Sequence, residues 1–254
     1  MSSPLVHLIS TNPLFERLSD EQRLRACSFL SARRHDAGSS LDGAGFSVGR
    51  TYVLAAGTAR VVRRDEAGRT VVVGLLEPGD MFGAIFGVGT GPREFVEALE
   101  PSTVLTLRTG GLAGLLAIDP LIAEVVMQQL SRRVADGADR LESLAQRTVP
   151  ARFAVVLLDL AERRGRVTPT GVRIGLRITH GGLAELVATT RETVTKVAGW
   201  LRDEGIATHD RRQILIHDRA RLVDVASGVL VMPGRSGGSH APRLASRPRA
   251  LRAS

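Results

Sequence analysis

The chain has 254 residues, of which 43% are hydrophobic, and a formal net charge of +8 at pH 7. This length and apolar content suffice for about two domains with full cores. The single cysteine, Cys27, excludes an internal disulfide and a four-cysteine metal cluster within one chain. The sequence has no secretory signal pattern and no apolar run near the roughly 18 residues of a membrane span. We therefore expect a cytoplasmic protein without membrane partners.

The first part of the chain, residues 1–118, is predicted to fold mostly as short strands. It begins with a helix capped by Ser19 and led by Asp20 and Glu21. From about residue 32 to residue 107, glycines separate short runs rich in Val, Leu and Thr, which is typical of strands joined by tight turns. The clearest hairpin pairs residues 58–64 with residues 69–73 across a turn closed by Gly68. This spacing predicts an antiparallel β barrel or double sheet of the jelly-roll kind.

A long helix is predicted over residues 119–149. Its apolar positions recur at alternating spacings of four and three, which is a heptad stripe. By itself such a stripe favours packing inside the chain over contact with a second copy. The stripe consists of Ala123, Met127, Leu130, Val134, Gly137, Leu141, Leu144 and Thr148.

Residues 150–232 contain two short predicted helices that meet at a tight turn over residues 188–190. Leu183, Leu186 and Val187 share one face of the first helix, and a matching apolar face recurs on the second. Thr190 is a good N-cap, so the second helix should begin at Arg191. Its outward surface is able to hydrogen-bond the base edges of a DNA major groove. That surface is formed by Arg191, Glu192, Thr195 and Lys196.

The flanks of this helix pair complete a third predicted unit. Residues 167–177 should form a hairpin before it, and residues 206–208 and 213–216 should form the strands of a wing after it. The predicted wing tip is His209-Asp210-Arg211-Arg212, whose arginines suit phosphate contacts. His209-Asp210 and His217-Asp218 lack a third clustered ligand, so we expect no metal site. Residues 233–254 carry five arginines and no acid and are predicted to be a disordered basic tail.

The charge distribution favours a polyanionic partner for the second half of the chain. Residues 150–232 carry 13 Arg or Lys against 9 Asp or Glu, and the tail adds only positive charge. Neutralising phosphates supplies most of the non-specific affinity for DNA. No pairing of nucleophile with base, phosphate-binding loop or metal cluster is recognisable, so we do not expect an enzyme.

The helix pair closely resembles the winged helix-turn-helix of the CRP/FNR superfamily of bacterial transcription regulators. The matching residues are Thr190-Arg191-Glu192-Thr193-Val194, Lys196 and the run from Leu201 to Ile206, preceded by Ile178-Thr179. The resemblance covers roughly residues 12–225. It implies an α+β fold: an N-terminal jelly-roll sensor domain of the cyclic-nucleotide-binding type, a long dimerisation helix and a C-terminal winged helix-turn-helix domain. It also implies double-stranded DNA, a second copy of the chain and RNA polymerase as partners.

The resemblance assigns roles to single residues. Arg191 would pair with a guanine, Glu192 would accept from a cytosine amino group, and Lys196 would contact a base or a phosphate. Thr179, Thr190, Thr195, Arg211 and Arg212 complete the predicted DNA-binding set, and the half-site would be of the TGTGA type within an inverted repeat. The dimer interface would comprise Met127, Leu130, Val134, Gly137, Leu141 and Leu144.

The predicted effector pocket departs from the pattern of cyclic AMP binders. Those proteins carry F-G-E followed by R-[S/T]-A, and a Thr-Ser pair on the long helix. This chain has Ala84 in place of the glutamate, and Glu94 follows the phosphate-binding candidate Arg93. Charged hydrogen bonds contribute about 1.5 to 3 kcal/mol each, so we expect weak cyclic AMP binding or none. The pocket set is Phe82, Gly83, Ala84, Ile85, Arg93, Gly137 and Ala138, the last two replacing the Thr-Ser pair.

Other functions stay open at this level. The first is a regulator of the same family that responds to cyclic AMP with Arg93 as the phosphate ligand. The second is a ligand sensor or a DNA-compacting protein with little sequence specificity. A haem or redox sensor with the same fold is the third.

Overall fold

The structure, a computed structural model, describes residues 4–41, 50–68, 70–84, 94–108, 110–210 and 213–233. It consists of a β-rich N-terminal region, a long helix and a C-terminal region of helices and short strands. This confirms the predicted α+β fold class. Ile85, Arg93, Arg211, Arg212 and the tail beyond residue 233 lie outside the described residues.

Two α-helices and a short 3₁₀ helix (Pro13–Phe15) precede the sheets among the described residues. Helix α1 spans Pro4–Ser10 and was not predicted, whereas α2 spans Asp20–Cys27 and begins at the predicted cap. The Gln22 N–H donates to Ser19 Oγ (3.2 Å), and the Ser19 N–H donates to Gln22 Oε1 (2.8 Å). This reciprocal pair is a capping box, which satisfies two backbone donors that the first turn of a helix leaves free.

Two antiparallel sheets form the N-terminal region. One has the strand order β1-β7-β2-β5, and the other has the order β4-β3-β6. The predicted hairpin is confirmed, since β3 and β4 pair antiparallel with Arg63 opposite Val71. The strands are β1 (Leu30–His35), β2 (Thr51–Ala56), β3 (Ala59–Arg64), β4 (Thr70–Leu76), β5 (Met81–Gly83), β6 (Glu94–Ala98) and β7 (Ser102–Leu107).

Two helices follow the sheets, the short α3 (Gly111–Ile118), which was not predicted, and the long α4 (Leu121–Gln146). The heptad stripe is shorter than predicted, because α4 ends at Gln146 and Thr148 lies at the N-cap position of the next helix, without a capping hydrogen bond from its side chain. Met127, Val134 and Leu141 of the stripe are 59%, 75% and 71% exposed. Only the N-terminal part of α4, through Ile122 and Val126, is buried inside the chain. The middle of the stripe is therefore largely uncovered by the described residues of its own chain.

Within the described part of the chain, no single helix is both long and apolar enough to cross a membrane. Helices α3 and α4 meet the length and composition criteria only when joined across a bend of 120°.

The C-terminal region combines four helices with one antiparallel sheet of strand order β10-β11-β9-β8. The predicted hairpin and wing are therefore parts of one sheet, in which Ile214 pairs with Ile174. The prediction of the wing tip was too long, because Asp210 pairs with Gln213 and places His209 and Asp210 in a strand. The elements are α5 (Val149–Arg164), β8 (Gly165–Thr168), β9 (Gly171–Ile174), α6 (His180–Val187), α7 (Arg191–Asp203), β10 (Ala207–Asp210), β11 (Gln213–Ile216) and α8 (Arg219–Ala226).

The two regions are packed against each other through the β3–β4 hairpin. Val62 and Val72 of this hairpin are fully buried in the same apolar cluster as the core of α5, α6 and α7. Arg60 of β3 forms an ion pair with Glu185 of α6, and Arg164 of α5 lies 3.2 Å from Glu77. The first helix of the helix-turn-helix thus rests directly on the sensor sheet.

Candidate nucleic-acid interface and effector pocket

The helix-turn-helix forms as the sequence predicts. Helix α6 begins after Thr179, whose Oγ1 accepts from the Gly182 N–H (3.1 Å). Helix α7 begins at Arg191, after Thr190, whose Oγ1 accepts from the Thr193 N–H (3.2 Å). Each hydroxyl satisfies a backbone donor of its first helical turn, which fixes where the helix starts. The predicted contact residues Thr179 and Thr190 are therefore both exposed helix caps at the candidate DNA surface.

The turn between α6 and α7 contains a strained alanine. Ala188 ends α6 in the left-handed conformation (φ 54°, ψ 61°), and it is the sole non-glycine residue with positive φ among those described. The conformation lets its N–H donate to the Ala184 carbonyl and turns the chain toward Thr190. Residues with a Cβ atom adopt it at a cost of roughly 1 to 2 kcal/mol.

We therefore expect Ala188→Gly to stabilise the chain by about 0.5 to 1 kcal/mol. Glycine relieves the left-handed strain but loses about 0.5 to 1 kcal/mol more backbone entropy on folding. The control is Ala135→Gly, at an exposed helical position of α4, where glycine should cost about 1 kcal/mol. Urea unfolding measures both variants. Destabilisation of equal size in the two would show that Ala188 is not strained.

The outward face of α7 presents the residues predicted to read bases. Arg191, Glu192, Thr195 and Lys196 are all exposed, whereas Val194, Val197 and Leu201 are buried on the opposite face. Hydrogen bonds from its own backbone N–H and from the Thr190 hydroxyl lower the pKa of the Glu192 carboxyl. Glu192 is therefore an ionised acceptor, which is the form that a cytosine amino group requires.

A pair of histidines that the prediction did not connect lies beside this face. The rings of His180, the first residue of α6, and His209 of β10 are 4.6 Å apart between centroids. The Thr195 hydroxyl donates to the Arg191 carbonyl, so Nδ1 of His180 is the donor in its 2.9 Å contact with Thr195. His209 Nε2 lies 2.9 Å from the Ile178 carbonyl and must also donate. The pair thus connects α6, the recognition helix α7 and the wing.

Both histidines are held in the neutral state. Burial is the main cause that lowers the pKa of His180, and the positive charge of Arg191 adds to it. Burial also lowers the pKa of His209 despite its hydrogen bond to Ile178, with His180 adding to the shift and Asp210 opposing it. In the described part of the structure Nδ1 of His209 is buried without a hydrogen-bond partner, so a proton there would be an unsatisfied buried donor.

The stability of the chain should fall as the pH drops below the ordinary histidine value of about 6.5. Both pKa values are lower in the folded state than in the unfolded state, so the unfolded state binds more protons in this window. The contribution is fully present above pH 6.5 and is lost as the pH falls through the folded-state values.

Melting temperatures measured across this window should show a smaller acid loss in His209→Gln than in the unmodified chain. His7→Gln, which removes an exposed histidine from α1, is the control. The same acid loss in both variants and in the unmodified chain would exclude the histidine pair as its source.

Two arginines that the prediction missed hold the end of α6. Arg140 of α4 donates through Nη2 to the Leu186 carbonyl (2.6 Å). Arg152 of α5 donates to the carbonyls of Val187 (3.1 Å) and Ala188 (3.3 Å). The last carbonyls of a helix lack intrahelical partners and carry the negative end of the helix dipole, so cations stabilise them. The turn before the recognition helix is thereby joined to the long helix and to α5.

The predicted effector pocket is only partly described. Phe82 is buried and stacks on Tyr52 with 5.2 Å between ring centroids, so it belongs to the sheet core. Gly83 has φ 87°, and a Cβ atom there would collide with the Arg50 carbonyl, which explains the glycine. Ala84 is buried, and its carbonyl accepts from the Thr51 hydroxyl (2.6 Å). Ile85 and Arg93 lie outside the described residues.

Charged groups from several elements meet near this pocket. Arg133 of α4 donates to the Met81 carbonyl, and burial lowers its pKa while Asp80 and Glu94 oppose the shift. Burial raises the pKa of Glu94, although Arg63 and Arg133 oppose that shift. Gln129 adds bonds to the Met81 N–H (3.0 Å) and the Gly79 carbonyl (2.8 Å). The long helix is therefore tied to strand β5 by its own side chains, beside the acids Asp80 and Glu94.

The other two predicted pocket residues lie further along α4. Gly137 and Ala138 are on α4 beyond Arg133, and a Cβ atom at Gly137 would meet nothing within 4 Å. Ala138 is exposed. Across the described ranges, no cluster of three or more His, Cys, Asp or Glu residues could hold a metal ion.

Comparison with protein-family models gives two matches. Residues 33–119 match the cyclic nucleotide-binding domain, and residues 151–225 match the Crp-like helix-turn-helix domain. The first match covers the sheets and α3, and the second runs from α5 to α8.

Comparisons with individual proteins agree with these matches. The chain is 30% identical over 177 residues to the global nitrogen regulator of Synechocystis, covering 68% of this chain and 78% of that protein. It is 31% identical over 180 residues to the CRP-like cAMP-activated global transcriptional regulator of Mycobacterium tuberculosis, with the same two coverages of 68% and 78%. A solved structure of a CRP/FNR family transcriptional regulator from Thermus thermophilus superposes with a TM-score of 0.65 at 29% identity. That superposition covers 78% of this chain and 98% of the other.

Proposed function

The chain belongs to the CRP/FNR family of DNA-binding transcription regulators, and from that premise we propose that it acts as a homodimer that reads an inverted repeat. It carries a cyclic-nucleotide-binding-like domain and is not an enzyme. Each subunit would place α7 in a major groove, with Arg191 on a guanine and Glu192 on a cytosine. The half-sites would be of the TGTGA type.

One observation carries this proposal: the exposed face of α7 is polar and charged, while its apolar face is buried against its own domain. An ionised Glu192 beside Arg191 supplies the acceptor and the bidentate donor that the major groove distinguishes best. Thr179 and Thr190 at the helix caps and Lys196 would complete the contacts, and Thr195 would orient the face through His180. Arg211 and Arg212 would contact phosphates from the wing.

The exposed stripe of α4 supports the dimer. A soluble chain rarely leaves a row of large apolar side chains in water, and such a row at heptad spacing suits a second copy of the same helix. The proposed interface comprises Met127, Leu130, Val134, Gly137, Leu141 and Leu144. Its five large apolar side chains are all at least 37% exposed in the single chain, and Leu144 also lines a cavity beside α5. The domain boundaries proposed with it are 1–118, 119–149, 150–232 and 233–254.

We also propose that DNA binding does not require cyclic AMP. Ala84 provides no carboxylate for a ribose hydroxyl, and Gly137 and Ala138 provide no hydroxyls for a base. Asp80 and Glu94 would repel a cyclic phosphate, since like charges in one pocket disfavour each other. Contact with RNA polymerase and added DNA affinity from residues 233–254 stay predictions.

The test is the affinity of the full chain for an inverted TGTGA repeat and for a scrambled duplex, at one fixed salt concentration, with and without cyclic AMP. We expect the repeat to bind at least about a thousandfold more tightly, the lower end for specific readers, because base contacts add to phosphate contacts. Cyclic AMP should change neither affinity. Equal affinity for both duplexes would indicate a DNA-compacting protein, and a many-fold gain with cyclic AMP would refute the proposed nucleotide independence.

A further inference from the structure

A cavity of about 230 Å³ lies where the sensor sheet, the long helix and the helix-turn-helix meet. Its walls come from β4, α4, α5 and α6, which belong to both regions and to the long helix between them. The volume is just below the range of about 300 to 1,000 Å³ that holds drug-sized ligands. A small organic molecule would fit it.

Most of the cavity wall is apolar. Leu75 of β4, Val155, Val156 and Leu160 of α5, and Leu186 and Val187 of α6 supply this wall. A ligand with an apolar body would gain the burial of its own surface against these side chains, at roughly 25 cal/mol per Å². Fully polar ligands gain nothing comparable.

The charged residues of the lining divide into a paired group and an unpaired group. Arg163 is 2.7 Å from Asp159 and 3.7 Å from Asp136, so these three largely neutralise one another. Arg140 and Arg152 also line the cavity, and neither makes an ion pair with a carboxylate in the described part of the chain. Both guanidinium groups are directed at the carbonyls that end α6. The unpaired positive charge is therefore concentrated at that end of the cavity, and the exposed Asp139 is the acid that remains there.

Arg140 is the less satisfied of the two arginines. It makes one hydrogen bond, to Leu186, although a guanidinium has five N–H donors. Its Nε is buried without a partner in the described structure, and burial lowers its pKa. A carboxylate beside Arg140 would accept a hydrogen bond from the free Nε–H and would place a negative charge next to the buried guanidinium. Arginine binds carboxylates in this way, through paired N–H bonds.

We propose that this cavity is an effector site for a small monocarboxylate with an apolar body, with Arg140 as the partner of the carboxylate. The carboxylate can take the free Nε and Nη1 donors of Arg140 while Nη2 stays on the Leu186 carbonyl. Its negative charge offsets the positive charge with which Arg140 stabilises the end of α6, so binding loosens the turn before α7 and weakens operator binding. The site is separate from the cyclic-nucleotide-type pocket near Phe82 and Gly83.

Calorimetry on the full chain without DNA tests the site, with octanoate, octanol and acetate as probes. Octanoate should bind with one site per chain, and octanol and acetate should each bind at least about tenfold more weakly, a difference of about 1.4 kcal/mol. Arg140→Gln should weaken octanoate at least tenfold, and Val156→Phe, which fills the cavity, should do the same. Arg132→Gln, at an exposed arginine of α4 outside the cavity, should bind octanoate normally.

Several results would overturn the inference. They are no saturable binding of octanoate, equal binding of octanol, or equal loss in Arg140→Gln and Arg132→Gln. If Val156→Phe does not fold, Arg140→Gln alone tests whether octanoate binds in this cavity. Octanoate that binds as expected but leaves operator affinity unchanged would refute the effector role. Octanoate binding is measured without DNA, so it is independent of the test for sequence-specific DNA binding. A failure of the proposed site would leave the proposed function intact, and a failure of the proposed function would leave the site intact.

Discussion

Replacing Leu141 by glutamate is expected to convert the protein to a monomer and to reduce its operator affinity by about a thousandfold or more. Leu141 is 71% exposed in the single chain and lies in the middle of the proposed interface. Two buried like charges facing each other across a helix pair would be both desolvated and mutually repelled. A monomer contacts one half-site, so its affinity should approach the non-specific range of about 10⁻⁴ to 10⁻⁶ M.

The control is Gln128→Glu, which places the same charge on an exposed position of α4 outside the stripe. Sedimentation equilibrium should show a dimer for this control and a monomer for Leu141→Glu. Circular dichroism should show unchanged helix content in both, because Leu141 is largely exposed in the single chain. A dimeric Leu141→Glu variant with full operator affinity would exclude α4 as the interface.

Replacing Arg191 by alanine is the second large effect that we expect. The loss of one bidentate contact to guanine should cost about 1 to 3 kcal/mol and relax the preference at one base pair. Affinity for a scrambled duplex should change little, because Arg191 is not expected to contact phosphate.

The matched control is Arg202→Ala, an exposed arginine in the last turn of the same helix that pairs with Asp203. It removes the same charge at the far end of α7. Binding to duplexes substituted at single positions measures the preference directly. Equal losses on specific and scrambled DNA in Arg191→Ala would mean that Arg191 acts as a phosphate contact and not as a base reader.

The elements of the helix-turn-helix were predictable because local signals determine them. Thr179 and Thr190 are caps whose hydroxyls act within three residues, and the apolar spacing of α7 is short-range. The same holds for the capping box at Ser19 and for the β3–β4 hairpin with its glycine turn. Both partners of such interactions are close in the sequence, so they can be predicted without the rest of the fold.

Most features of the fold that were not predicted depend on residues far apart in the sequence. The pairing of Ile214 with Ile174 joins the wing to the hairpin across forty positions of sequence, and no local pattern specifies it. Helix α8 did have a local signal, since Asp218 caps it by accepting from the Arg221 N–H (2.9 Å). Asp218 is therefore a helix cap, a role that its place after His217 in the sequence had not indicated.

The candidate site shows the same division. Exposure of Arg191 and Glu192 followed from helical spacing, whereas the contact of His180 with His209 requires α6 and the wing to be placed together. The roles of Arg140 and Arg152 could not be predicted for a similar reason, because the carbonyls that they bind at the end of α6 are 35 to 46 residues away. Every residue has a backbone carbonyl, so the sequence does not indicate which carbonyl an arginine binds.

The most direct test of a sequence-reading dimer is the spacing dependence of its DNA affinity. The full chain would be titrated against an inverted TGTGA repeat and against the same repeat with about 5 bp inserted at its centre, half of a 10 to 10.5 bp helical turn. We predict that the insertion rotates one half-site to the opposite side of the duplex and reduces affinity to that of a single half-site. Equal affinity for the two duplexes would contradict the account, because a rigid two-fold dimer cannot read half-sites on opposite faces of DNA.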